Sequence, residues 1–565
     1  MIYGVKTMIA KKPVNYKILK RIMSKLRMAE SHFNTNYAVL YAFFYKYCSD
    51  SIKDFLMEEL KDKELTIDEA YRNKISYEQL LFDSLHMNGF FIKRSEAFID
   101  ELVNSKTSKR RFLEEFLGVF PSNIIFNSEY HNLKYFKDFF NIIRDGIDIS
   151  RLNDSQVNDL CEIIVLISRL EVTGDEFPFE DVFDIVSASR FVHVNSNPEL
   201  ITQILSKLVV CEKKAIDSAY DPFIKNGDTI MKLREEIGYD LRYCYGKDPN
   251  NIDYVHNIVK FFISNFSLSN VFLKREDAFD SIDFNGRSFD AILSRIPISI
   301  KNYHTSNFNQ SMEIAKRNKR SEVESLLLEK LDITEDSFKQ NLKLNQALEN
   351  LVEEIGFEDD SNSNFKGQYE SLQDSEFLFL INLIDALKDD GIMTICISEN
   401  FLFKPSLEIL RKYLTLEKNY IDTVIRVPNE FSRSRPEVVM VFKKNRQNSD
   451  VLFIDMSSDY ETQRSRLTYP GLFRKNLVLD DETLSKMENV FLNKLSIDKY
   501  SNLISIDEIE NNQFNLSVSR YVDTFDGEFI SLDDLVAEKQ EIDSNINELD
   551  IKIEKMMDEL GIRFK

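Results

Sequence analysis

Four short stretches between Ala215 and Ser299 carry residue types from which a ligand site can be built. The first is the turn Asp221-Pro222-Phe223-Ile224-Lys225-Asn226-Gly227-Asp228. A turn that brings backbone against a ligand needs glycine, because a Cβ blocks both the left-handed φ angles and the close approach. Gly227 is the glycine available here, and Lys225 puts a long cationic side chain into the same turn. Two acidic positions follow, Asp248 in Tyr245-Gly246-Lys247-Asp248-Pro249 and Asp277 in LKREDAF. An ionised carboxylate is acceptor-only and takes two hydrogen bonds at once. The fourth stretch ends in Ser294-Arg295-Ile296-Pro297-Ile298. Arginine supplies five donors, a fixed charge and no acceptor. Each position also has a plain structural reading: a surface turn ahead of a helix, or an aspartate capping one.

The surrounding pattern predicts what holds these residues in place. Apolar runs such as Ala291-Ile292-Leu293 are bounded by polar turns and alternate with helical segments. That alternation predicts β-α-β units of a parallel sheet, whose ligands bind at the carboxyl ends of the strands. Residues 1–165 read as helical, with apolar residues at a period of 3.6 and few glycines. Within them LKRIMSKLRMAESHFNTNYAVLYAFFYKYCSD predicts a buried helix pair. The polar segment EVTGDEFPFED reads as a linker, and Asn197-Pro198-Glu199 as a helix start. Near the end Leu535, Ile542, Ile546, Leu549, Ile553, Met556 and Leu560 are spaced 7, 4, 3, 4, 3 and 4. This is a heptad seam, suited either to a partner helix or to the chain's own domain.

Composition narrows the classes. The chain has 565 residues and 43% hydrophobic content, enough for two or three domains with cores of their own. No apolar run reaches the eighteen or so residues of a membrane span, and the start lacks the apolar core of a secretory signal. Cys48, Cys161, Cys211, Cys244 and Cys396 are scattered and odd in number, which predicts reduced, buried thiols in the cytoplasm and no metal site. The net charge of -22 is poorly suited to gripping phosphates unaided, so contact with DNA calls for a local basic patch or a basic partner. Lys316, Arg317, Lys319 and Arg320 are such a patch, or a solvated helix face.

Taken in order, these motifs resemble the modification (M) subunits of type I restriction-modification systems, N6-adenine DNA methyltransferases that use S-adenosylmethionine. The family turn D-P-x-x-G-S-G-G resembles Asp221 to Asp228, Y-G-x-E-x resembles Tyr245 to Pro249, and N-P-P-F falls on Arg295 to Ile298. Further matches are Leu26-Arg27, Lys46 to Asp50, Gly391, Leu402-Phe403, Leu410 to Leu414, Val424 to Pro428, Val439 to Lys444, and Asn515-Leu516 with Arg520-Tyr521-Val522. The resemblance implies an α/β fold: a Rossmann-like S-adenosylmethionine-dependent methyltransferase domain at 166–480, a helical N-terminal domain at 1–165, and a C-terminal segment at 481–565 with a long partner-binding helix.

It also implies roles. Asp221 and Gly227 would be what remains of the cofactor turn, Asp248 would accept the ribose hydroxyls, and Asp277 would accept the adenine amine. Lys225 stands where the first glycine belongs, so its side chain would lie in or over the methionine end. At the catalytic motif Arg295 replaces Asn, Ile296 the first proline and Ile298 the aromatic, with Pro297 kept. In the family the asparagine oxygen accepts from the amino group of a flipped adenine and the aromatic stacks on the base. Arginine cannot accept and isoleucine has no ring to stack. Losing one such preorganised contact costs about a hundredfold to a thousandfold in rate.

The expected function is therefore an M-type subunit with impaired catalysis, acting in assembly or in clamping double-stranded DNA. Its partners would be a specificity-type subunit on the C-terminal helix and a second M-type subunit. Two other readings stay open: an active adenine methyltransferase with a rebuilt motif, and a solitary protein that binds another ligand in the cofactor cleft.

Overall fold

The computed structural model describes residues 17–19, 21, 22, 24, 25, 34–63, 65–104, 108–170, 172, 199–264, 266–276, 278, 284, 286–296, 380, 383–428, 436–459, 461–464, 475–524 and 532–560. Asp277, Pro297, Ile298, the basic patch at 316–320 and the polar stretch at 356–368 lie outside them, as does the segment 173–198.

The first described unit is helical. Helix α1 (Asn34–Leu60) has no proline or glycine, and its Tyr41, Phe44, Cys48, Ile52 and Leu56 recur every three or four residues along one fully buried stripe. That stripe packs on α2 (Leu133–Gly146) and α3 (Asp154–Ser168). Both are started by asparagine caps: Asn132 accepts from the amide of Lys134, and Asn153 forms a capping box with Gln156. One feature of this unit departs from the helical pattern. Phe90–Ile92 and Ile124–Phe126, two aromatic and β-branched triplets, pair as antiparallel strands.

The second unit is a nine-stranded sheet. Its strands are β1 (Ser218–Asp221), β2 (Tyr243–Lys247), β3 (Val271–Lys274), β4 (Phe289–Arg295), β5 (Leu387–Ser398), β6 (Ile421–Arg426), β7 (Glu437–Lys443), β8 (Val451–Asp455) and β9 (Ser501–Ile504). They lie in the order β9-β8-β6-β7-β5-β4-β1-β2-β3. From β3 across to β5 all pairs are parallel. Strand β7 then runs antiparallel to both its neighbours, so the sheet keeps the expected parallel β-α-β units from β1 to β4 and becomes mixed beyond them. The reason is the connection: residues 427–436 between β6 and β7 are fewer than the dozen or so that a parallel crossover needs. The sheet also runs on past residue 480, because β9 pairs with β8 from Val451↔Ile504 to Ile454↔Ser501.

Helices cover both faces, which is why the central strands are almost continuously apolar. Strand β4 is buried from Phe289 to Ser294, and β7 from Val438 to Phe442. Helix α4 (Glu199–Glu212) packs on β5 and on α5 (Asp228–Ile237), while α6 (Asn251–Ile263) packs on the N-terminal helices. Among the described residues no helix is long and apolar enough to cross a membrane, and all five cysteines are free.

The edge strand β3 is closed by a side chain. The hydroxyl of Tyr135, on α2, donates to the carbonyl of Val271 at 2.7 Å and accepts from the amide of Leu273 at 2.8 Å. Tyr254 on α6 adds a hydrogen bond to Asp138, and Phe44 meets Phe262 edge to face. The helical unit thus grips the sheet through the backbone groups that an edge strand leaves open. Tyr135→Phe keeps the ring and orphans both groups, so it is expected to cost about 1–3 kcal/mol, read as a lower urea midpoint at unchanged slope.

The last helix, α7 (Leu532–Leu560), presents its seam outward. Ile542, Ile546, Leu549, Ile553 and Met556 are each about half or more exposed, at 51%, 49%, 55%, 51% and 63%. The five are therefore not docked on the chain's own domain.

Candidate functional site

The sheet reverses its strand order at β1, which lies between β4 and β2. In open α/β sheets this switch point opens a crevice beyond the carboxyl ends of the strands. Asp221 ends β1, Lys247 ends β2, and Arg295 ends β4. Because β7 is antiparallel, its first residue lies at that same edge: Glu437 pairs across with Ser398, the last residue of β5.

Asp221 is fully buried and ties the turn to β4. Its Oδ1 accepts from the amide of Phe223 at 3.0 Å and from the hydroxyl of Ser294 at 2.6 Å. Burial raises its pKa, while the donors and the Lys225 ammonium pull the other way. Gly227 begins α5 with φ at 76°, in the left-handed region. A Cβ there would stand 2.5 Å from Oδ1 of Asn257, so glycine is required both by backbone angle and by space. Asn257, on α6, also holds the turn from behind, its Nδ2 donating to the carbonyl of Lys225 at 2.5 Å. Lys260 pairs with Asp228 beside it.

Lys225 is the unusual residue of the turn. Its φ is 48°, a left-handed conformation held without the freedom of glycine, and it is only 4% exposed. The side chain points into the crevice, its Nζ 3.5 Å from the carbonyl oxygen of Arg295. Burial and the nearby Arg295 charge lower its pKa, with Asp221 and Glu437 opposing. The preceding Ile224 is also buried and lies on Gly246 of β2, where an added Cβ would meet its Cδ1 at 2.3 Å.

Asp248 follows β2 and is buried. Its Oδ1 accepts from the amide of Asn250 at 2.7 Å, and it is Asn250 that caps α6. The helix-cap alternative for this aspartate is thus taken up by its neighbour. Lys247 beside it turns inward to Glu276 at 3.5 Å.

Arg295 makes a two-pronged ion pair. Its Nε donates to Glu437 Oε1 at 2.9 Å and its Nη2 to Oε2 at 2.8 Å, and both side chains are about 85% buried. Ile296 is buried and its amide donates to the carbonyl of Cys396. The crevice therefore gathers Asp221, Lys225, Asp248, Arg295 and Ile296 at one edge of the sheet. Glu437 and Asn257 belong to it as well, and sequence reasoning did not reach them. Glu437 is 142 residues from its partner, and only the reversed direction of β7 brings it in.

A cofactor with a methionine end has to lie against the turn and the end of β4. On that side stands the buried side chain of Lys225, where the resemblance calls for glycine backbone. As it stands, this residue does not fit the methionine end of S-adenosylmethionine.

The chain is similar to known proteins in sequence and in fold. The pattern of the N-6 DNA methylase family matches residues 336–528. The type I restriction enzyme MpnII methylase subunit of Mycoplasma pneumoniae is 21% identical over 96% of this chain and 93% of its own length. The MjaVII methylase subunit of Methanocaldococcus jannaschii is 26% identical over 35% of this chain and 33% of its own. Among solved structures, the type I restriction-modification methyltransferase subunit of Streptococcus thermophilus superposes with a TM-score of 0.65 at 20% identity, covering 91% of this chain and all of that one.

Proposed function

Since residues 336–528 match the N-6 DNA methylase family and the chain is similar along its length to a type I methylase subunit, we propose that it is a methylase-type subunit that no longer transfers methyl groups itself. It serves in the cytoplasm as a scaffold or DNA clamp of a type I restriction-modification assembly. The observation that carries this is the Arg295–Glu437 pair. Where the family presents an acceptor to the amino group of adenine, this chain presents a guanidinium already satisfied by a carboxylate.

The partner surface is α7, whose outward seam fits a helix of a specificity-type subunit. Residues 532–560 contain ten acidic and three basic side chains, with Asp543 directly beside the seam. Two copies of such a helix repel, so the seam favours a partner with basic flanks over self-pairing. A second methylase-type subunit in the same assembly would supply the chemistry.

The test is co-expression of this chain with the specificity subunit of its own system, followed by labelled methyl transfer to double-stranded DNA. Co-purification that is lost on deleting 532–565, with no label transferred unless an intact methylase subunit is added, is the expected result. Transfer by this chain and the specificity subunit alone would overturn the reading.

A further inference from the structure

The lysine in the turn has a chemistry of its own. S-adenosylmethionine is cationic at its methionine end, carrying an ammonium and a sulfonium. A buried carboxylate and a carbonyl oxygen at the ends of β1 and β4 are what such a group would seek. Here the chain supplies that cation itself. We propose that Lys225 is a built-in replacement for the positive end of the cofactor, its ammonium held in the field of Asp221 and against the carbonyl of Arg295, so that the crevice is filled and charge-balanced without a ligand.

Three observations support this. Lys225 adopts a left-handed φ of 48° and stays almost wholly buried, a costly arrangement for a side chain that could turn to water. Asn257 holds the carbonyl of Lys225, fixing where the side chain starts. Ile224 packs on Gly246 of β2, so the turn that carries Lys225 is anchored to the sheet just before it. A ligand would have to displace an internal cation whose charge repels its own.

The inference rests on the reading of this chain as a non-transferring member of its family, but it fails separately. The experiment is calorimetric titration of the full chain with S-adenosylmethionine and with S-adenosylhomocysteine, whose thioether lacks the sulfonium charge. The parent is expected to bind neither at a millimolar concentration. Lys225→Gly removes the cation and the side chain at a backbone angle where glycine is at ease, so the fold should hold, checked by an unchanged circular dichroism spectrum. That variant is expected to gain at least a hundredfold in affinity for both ligands. Lys225→Met keeps the bulk without the charge and is expected to stay closed to both.

Micromolar binding of S-adenosylmethionine by the parent overturns the proposal, as does a folded Lys225→Gly protein that binds neither ligand. Neither result touches the argument from Arg295, which is answered by methyl transfer. Binding by Lys225→Gly with no transfer to DNA supports both.

Discussion

Glu437→Ala should lower the unfolding free energy by about 3–5 kcal/mol, a loss large enough to see as a shift of several molar-scale tenths in the denaturant midpoint. The alanine removes the carboxylate that holds Arg295 by both prongs, leaving a guanidinium that is 16% exposed and faces Lys225. Arginine cannot shed its proton to escape, so the charge stays where it is. Replacing both partners with methionine should recover most of the loss, since a buried pair exchanged for packed apolar side chains is often close to neutral. Arg295→Asn alone should cost less than Glu437→Ala, because the carboxylate it leaves still faces the Lys225 ammonium and can take up a proton. Restoring the family residue at 295 is therefore expected to weaken the fold and, with Lys225 still in the turn, to return no activity.

The second large effect is expected at Arg411. It is 2% exposed, and its guanidinium donates to three backbone carbonyls: Phe514 at 2.6 Å, Phe401 at 3.1 Å and Lys404 at 2.8 Å. Burial lowers its pKa to about 10, still far above neutrality, so all three bonds are charge-assisted. Arg411→Leu would orphan three acceptors together, at about 1–3 kcal/mol each, part of it relieved by water. The loss falls on the join between the sheet and residues 505–522, where Leu516 also donates its amide to Leu402. Limited proteolysis should cut the variant in that segment before the rest of the domain opens, whereas the parent should resist there.

These two sites show where sequence reading stops. The turn at Asp221, the acidic position at 248 and the motif at 295–298 are legible because each is local: a few residues joined by a strand end or a turn. The buried strands are legible for the same reason, since β4 and β7 are short apolar runs. The α7 helix announces itself by its heptad spacing, but spacing is equal for a seam that docks at home and one that faces out; exposure of Ile542 to Met556 is a tertiary fact. Glu437 and Arg411 act on partners 142 and 103 residues away, and no period or motif encodes such distances. That Lys225 intrudes on the turn can be seen in the sequence; that it is buried with its ammonium against the end of β4 depends on which strands are neighbours.

The tyrosine that closes the edge of β3 bears on how the chain is made. Tyr135 leaves the ribosome 136 residues before Val271, and α1, α2 and α3 are complete before the first strand of the large sheet appears. During synthesis the helical unit can fold first, as N-terminal units generally do. When β3 emerges, its outer backbone groups meet a hydroxyl already in position, and they are covered before a neighbouring nascent chain can add a strand to them. Expressed without residues 1–165, the sheet would carry that edge bare, and aggregation during expression is the cost to expect.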